Sequence, residues 1–248
     1  MKSLLNPKKL PRLPLILGAA AFALRILLYG AATDHKHLLA AHPLGLALSA
    51  VTVAAVVLII TGVLRWNREP VYPLWPGSWL TMALLQVVGF GSVLLEGSFA
   101  ESRMLLARNL LAIGSAVSMV MLVLLRKKGK DPHFLLYGIL CLFFAVYMVS
   151  CYQGWSRNPQ IQDYLYALLG GVGLMLYTYH KTAAAVGFRK EKWMLAIGLL
   201  TSYFCFVSLS GTEFPVLYLC SGYWVLTDLS EVFSETLPEA LPEDLSGE

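Results

Sequence analysis

Long apolar runs separated by short charged loops set the first constraint on this chain. Between Leu13 and Leu229 the sequence returns repeatedly to apolar stretches of about 18 to 20 residues, the length that carries a helix across a ~30 Å hydrocarbon core. A water-soluble domain would need polar faces at helical or strand spacing, and these runs lack that striping. Charge is also too scarce for a solvated shell: 14% of the 248 residues are Asp, Glu, Lys or Arg, against roughly a quarter in ordinary soluble domains. Lipid must therefore solvate most of the surface. The expected fold is all-α, a polytopic integral membrane helical bundle of about eight transmembrane helices.

Local signals place the spans at about 13–32, 43–64, 79–95, 103–125, 132–152, 163–179, 193–210 and 214–229. They form one transmembrane domain over 1–234, followed by an acidic, disordered tail over 235–248. Pro43 suits the first turn of the second span. Pro70, Pro73 and Pro76 forbid a continuous helix before the third, and Ser102 is placed to cap the fourth. Gly114 with Ser118, and the run Gly170-Gly171-Val172-Gly173, mark faces where helices approach closely. The eighth span is the shortest. Only 14 residues separate Pro215 from Asp228 inclusive, so a crossing requires the helix to continue toward Phe233, and a re-entrant hairpin is the alternative.

Orientation follows from the basic residues. Arg126-Lys127-Lys128-Gly129-Lys130 puts four positive charges into five residues, which biases that loop toward the cytoplasm. With loops alternating from there, the N-terminus and the loops after spans two, four and six carry 14 basic residues, Lys181 among them. The opposite loops and the start of span four carry four: Lys36, Arg103, Arg108 and Arg157. Both termini are expected in the cytoplasm, and the short loops and Ala/Leu/Gly richness suggest a bacterial plasma membrane. The last 21 residues hold seven acidic groups and no Lys or Arg. Dispersed at membrane edges, the basic residues read as topology signals and lipid contacts, and a nucleic-acid partner is not expected.

The same topology gathers a polar set on the outer side. Arg25 lies 12 residues into span one, roughly 18 Å along a helix, and Arg108 lies six residues after Ser102, roughly 9 Å in from the outer end. Asn109 adjoins Arg108, and Glu96, Glu101, Asp163 and Glu213 close spans on that side. An arginine in hydrocarbon costs about 2.5 to 3.5 kcal/mol on insertion scales, so both should find partners or water. One expectation is an outward vestibule whose guanidiniums receive a carboxylate, phosphate or lipid headgroup through forked hydrogen bonds. The plainer one is that both arginines reach the interface and pair with Glu96 or Glu101 as clamps.

Other chemistry is thin. His35, His37 and His42 form a weak metal-ligand candidate, because imidazole is the commonest neutral ligand but the spacing matches no defined site. Solvated loop histidines are the plain reading. Cys141, Cys151, Cys205 and Cys220 sit in apolar segments without Cys-x-x-Cys spacing and read as small packing residues. No hydrolase elbow, paired intramembrane acid or phosphate loop is present in the sequence, and no cofactor is expected. Without an acid near the midplane, proton-coupled transport loses its usual machinery. The expected function is non-enzymatic transport or handling of a small solute or lipid, or service as the membrane subunit of a larger complex. Its alternatives are an intramembrane enzyme acting on a lipid or envelope precursor at the outer leaflet, and a sensor docking a membrane or cytoplasmic protein through its acidic tail.

Overall fold

A computed structural model describes residues 12–31, 43–66, 79–95, 102–155, 164–188 and 191–235. Among the described residues there are eight helices and no strand: α1 (Arg12–Ala31), α2 (Pro43–Leu64), α3 (Trp79–Leu95), α4 (Arg103–Lys127), α5 (Phe134–Trp155), α6 (Leu165–Ala185), α7 (Glu191–Ser208) and α8 (Pro215–Glu235). The sequence sets several of these ends. Pro43 occupies the first position of α2, where an absent N–H is no loss. Ser102 caps α4, its Oγ accepting from the Leu105 N–H at 3.2 Å. At the far ends of α4 and α6, Gly129 and Gly187 take positive φ, +62° and +97°. That turn lets the Lys130 N–H reach the Leu125 carbonyl at 3.1 Å and the Phe188 N–H reach the Ala183 carbonyl at 2.9 Å, satisfying carbonyls a helix end leaves over.

Two elements differ from the sequence-based expectation. α8 is one continuous helix of 21 residues, about 31 Å long at ~1.5 Å per residue, so the re-entrant hairpin is set aside. α6 runs to Ala185, beyond the end expected at 179, and carries His180 and Lys181 inside the helix.

Side chains are distributed in reverse of a soluble protein. Val53, Leu84, Leu110, Leu142 and Leu219 are exposed, while Arg25, Gln86, Arg108, Asn109, Lys181 and Asp228 are buried. Water would penalise such an apolar outer face, whereas lipid accepts it and drives polar groups inward. Four helices, α1, α2, α4 and α5, are long and apolar enough to cross a membrane, and α3 and α7 contribute shorter apolar helices. The chain is a membrane protein built as a helical bundle.

Packing follows chain order with one closure. Each of α3 to α8 packs on the next, and α8 returns to α3, making a ring of six; α1 and α2 lie against α7 outside it. α8 also reaches α6, and these two helices run parallel with a constant offset. Tyr218 donates to the Ala167 carbonyl at 2.6 Å and Tyr177 donates to Asp228 at 3.0 Å, each pair 51 residues apart. Glycine permits these approaches. A Cβ on Gly170 would stand 2.9 Å from the Tyr218 ring, and one on Gly173 would stand 3.2 Å from the Thr201 backbone. Gly89 likewise sits where a Cβ would be 3.1 Å from Cys220. Beside it, Gln86 Nε2 donates to the Cys220 carbonyl at 2.8 Å and ties α3 to α8. All four cysteines are free thiols, so no bridge joins Cys151 to Cys205 or Cys220.

Candidate functional site

Two polar clusters occupy opposite ends of the bundle interior. The first is built on α6 and α8. Helical spacing puts Ala167, Gly170, Gly171, Leu174, Tyr177, Thr178, Lys181 and Ala184 on the buried face of α6, so the small residues admit α8 and the last turns deliver Tyr177 and Lys181 to it. α8 answers with Trp224 and Asp228, also one turn apart. Lys181 Nζ stands 2.9 Å from Asp228 Oδ2, with neither side chain exposed at all. Tyr177 Oη donates to the same oxygen at 3.0 Å. The Tyr177 ring meets Trp224 edge-on with centroids 5.8 Å apart, and Lys181 Nζ lies 5.8 Å from the centre of the Tyr177 ring. Trp224 Nε1 is buried without an acceptor among the described residues. Tyr137 of α5 lies within electrostatic reach of both Asp228 and Arg126. Lys181 is about 24 Å along α6 and Asp228 about 20 Å along α8, counting from the ends nearest Arg25. The pair therefore sits in the opposite half of the bundle.

This cluster corrects one sequence-based reading. Lys181 is not a loop charge; it and Asp228 are wholly buried against each other. One signal was available. Nothing between Tyr179 and Ala185 breaks a helix, and the stop is Gly187, so α6 extends past Lys181.

The second cluster contains the residues singled out from sequence. Arg25 is buried, and its Nη1 donates to the Val207 carbonyl at 3.1 Å. Val207 is in the last turn of α7, so the guanidinium meets a carbonyl that lacks a helical partner and opposes the negative end of the helix dipole. Nη2 donates to Tyr29 Oη at 3.3 Å, and the guanidinium carbon lies 5.1 Å from the centre of the Tyr166 ring. Tyr166 is itself fixed. Thr52 Oγ1 gives its one proton to the Leu48 carbonyl at 2.9 Å, so the Tyr166 and Tyr203 hydroxyls, each 3.1 Å away, both donate into it. Arg25 thus caps α7, and Gly211 presses against the guanidinium with no room for a side chain.

Arg108 is placed differently. It is buried in α4, and its guanidinium carbon lies 5.1 Å from the centre of the Phe214 ring, just ahead of α8. Its Nε stands 3.5 Å from Asn109 Oδ1, at the limit of a hydrogen bond. Cys151 of α5 is within electrostatic reach of Arg108 and of the exposed Glu213. The structure brings Arg108, Asn109 and the turn bearing Glu213 together, and assigns Arg25 to the other side of that turn. Glu96, Glu101 and Asp163 lie outside the described residues, as do His35, His37 and His42. Among the described residues no group of His, Cys, Asp and Glu could hold a metal.

Fold and site define an all-helical membrane protein with ionisable groups inside the bundle. Comparison with known proteins returns no match, whether to a family model, a curated relative or a solved structure.

Proposed function

We propose that the protein carries or handles a small solute or lipid within the membrane, without catalysing its conversion. The supporting observation is the Lys181–Asp228 pair, 2.9 Å long and completely withdrawn from solvent. A bundle that needed only stability would be served as well by apolar side chains there, since replacing a buried ion pair with well-packed hydrophobic residues is often neutral or stabilising. Ionisable groups inside spans mark solute or ion pathways far more often than scaffolding. The pair also joins two parallel helices that small residues allow to pack closely, which suits a contact broken and remade as a carrier changes state.

The membrane in this reading is a bacterial plasma membrane with both termini cytoplasmic. Removing Lys181 and Arg108 from the loop charges leaves 13 basic residues on the proposed inner side and three on the outer, so the bias that supports the orientation persists.

The test is the charge-swapped variant K181D/D228K, brought to the same membrane abundance as wild type and followed by untargeted analysis of solutes and lipids retained by the cells. A carrier gives a wild-type profile distinct from that of cells lacking the protein, and the swap erases the difference. A swap that reproduces the wild-type profile, or a wild type indistinguishable from empty cells, ends the proposal.

A further inference from the structure

Arg108 and Asn109 share a feature that neither packing nor capping explains: they present donors without acceptors. Arg108 is 6% exposed and Asn109 fully buried. Among the described residues the guanidinium has no carboxylate within ion-pair distance, and its hydrogen bonding is limited to the 3.5 Å approach of Nε to Asn109 Oδ1. Asn109 Nδ2 is buried with no acceptor. Because Oδ1 and Nδ2 share one amide carbon, this amino group stands within a few ångströms of the guanidinium. Tyr147, whose ring meets Phe214 at 5.6 Å, has a buried hydroxyl that makes no hydrogen bond of regular geometry and lies nearest Tyr218 and Cys151.

Each of these groups donates. The Arg108 guanidinium carbon lies 5.1 Å from the centre of the Phe214 ring, and a guanidinium carries its donors in one plane as a fork, two of which match two oxygens of one acceptor. Asn109 Nδ2 supplies a third donor beside that fork. Leaving the Asn109 donor unmet inside the bundle is costly, and an anion with several acceptor oxygens satisfies it together with the neighbouring guanidinium. α8 begins one residue after Phe214, which adds the positive end of a helix dipole to the same place.

We propose that Arg108 and Asn109 bind a phosphate group, two oxygens on the guanidinium fork and a third on Asn109 Nδ2. A carboxylate would be used up by the fork alone, whereas a tetrahedral phosphate has an oxygen left for the amide. Arg108 lies five residues into α4, roughly 8 Å from its start, a depth that a lipid phosphate reaches from the headgroup layer and a free phosphate reaches from water. Glu213 is exposed on the same turn and has interactions of its own. The inference goes beyond the carrier reading, because equilibrium binding does not depend on transport.

The experiment uses the full chain purified in dodecyl maltoside and in phosphatidylcholine nanodiscs. Melting temperature is followed as inorganic phosphate is titrated in detergent, and as phosphatidic acid is added to the nanodiscs. Wild type should melt higher with at least one probe. A response to both assigns the site to the phosphate group itself, and a response to phosphatidic acid alone assigns it to a lipid headgroup. R108Q should weaken binding at least ~10-fold, as expected for loss of charge-assisted bonds. Since R108Q could also disturb folding, N109L carries the decision. It is close to isosteric and removes the unmet Nδ2 donor at the cost of only the 3.5 Å contact from Arg108 Nε to Oδ1, which is at the limit of a hydrogen bond, so it should keep or raise the ligand-free melting temperature while abolishing the response. No response of wild type to either probe overturns the proposal, as does an N109L variant that responds like wild type or melts lower without ligand.

Discussion

Removing Lys181 tests the energetics of the interior most directly. K181M removes the ammonium 2.9 Å from Asp228 Oδ2 and leaves the Tyr177 hydrogen bond to that carboxylate in place, in a site with no exposure on either partner. Breaking a buried pair by deleting one member costs about 3 to 5 kcal/mol, because the surviving charge is stranded. D228L strands the ammonium and should cost a similar amount. The double variant K181M/D228L strands nothing, and since replacement of a buried pair by apolar groups is often neutral or stabilising, it should fall within about 1 kcal/mol of wild type or exceed it. The two single losses therefore should not add, and their sum should exceed the double loss by several kcal/mol. Y177F supplies an internal control. In wild type it removes a hydrogen bond to a charged acceptor, worth about 1.5 to 3 kcal/mol, and in the double variant that acceptor is gone, so the cost should shrink.

Equilibrium unfolding of the six proteins in one detergent measures these differences. Additive single losses, or a K181M variant as stable as wild type, would refute the reasoning, because either outcome requires Lys181 to reach water or headgroups rather than Asp228.

Two further outcomes concern packing and capping. R25M should lose about 1.5 to 3 kcal/mol in the same unfolding assay, from the charged hydrogen bond to Val207, yet keep any response to phosphate or phosphatidic acid; loss of that response without loss of stability would place Arg25 in the ligand site instead. G173A should cost about 1 to 3 kcal/mol because its Cβ meets the Thr201 backbone, whereas G171A meets the mobile end of Met148 and should be partly relieved by M148A; equal costs with no relief would contradict the packing of α6.

How much of this was legible depended on how local the determinant was. α2 and α4 begin where Pro43 and Ser102 place them, because caps act within one turn. That Arg25 needs a partner follows from its place in an apolar run, but that the partner is the Val207 carbonyl, 182 residues away, depends on α1 packing beside α7. Lys181 was read as a loop charge because it follows an apolar run and precedes other basic residues. Only its pairing with an acid 47 positions later makes burial tolerable, and a window of one helix length contains no trace of that. The Arg108–Asn109 neighbourhood was visible as adjacent polar residues in a span. Its lack of acceptors became visible only once α5 and α8 were in place.

Both polar clusters meet the same face of α8. Phe214 lies beneath Arg108, and Tyr218, Ser221, Trp224 and Asp228 follow at steps of three or four residues, all buried. That spacing makes one stripe along a rigid rod, with about 21 Å between its ends. A shift or rotation of α8 that reshapes the Phe214 end must also move Asp228 against Lys181 and Tyr177. If a ligand at Arg108 favours one position of α8, that position has its own Lys181–Asp228 geometry, and by linkage the state of the pair must change affinity for the ligand by the same factor. K181M/D228L should therefore alter the apparent affinity of the Arg108 site by about 5- to 150-fold, the usual range of coupling between sites, although neither substitution touches it. Melting-point titration with phosphatidic acid reads that ratio. An affinity unchanged in the double variant, with N109L still abolishing binding, would mean that α8 is a fixed post and the two clusters act independently.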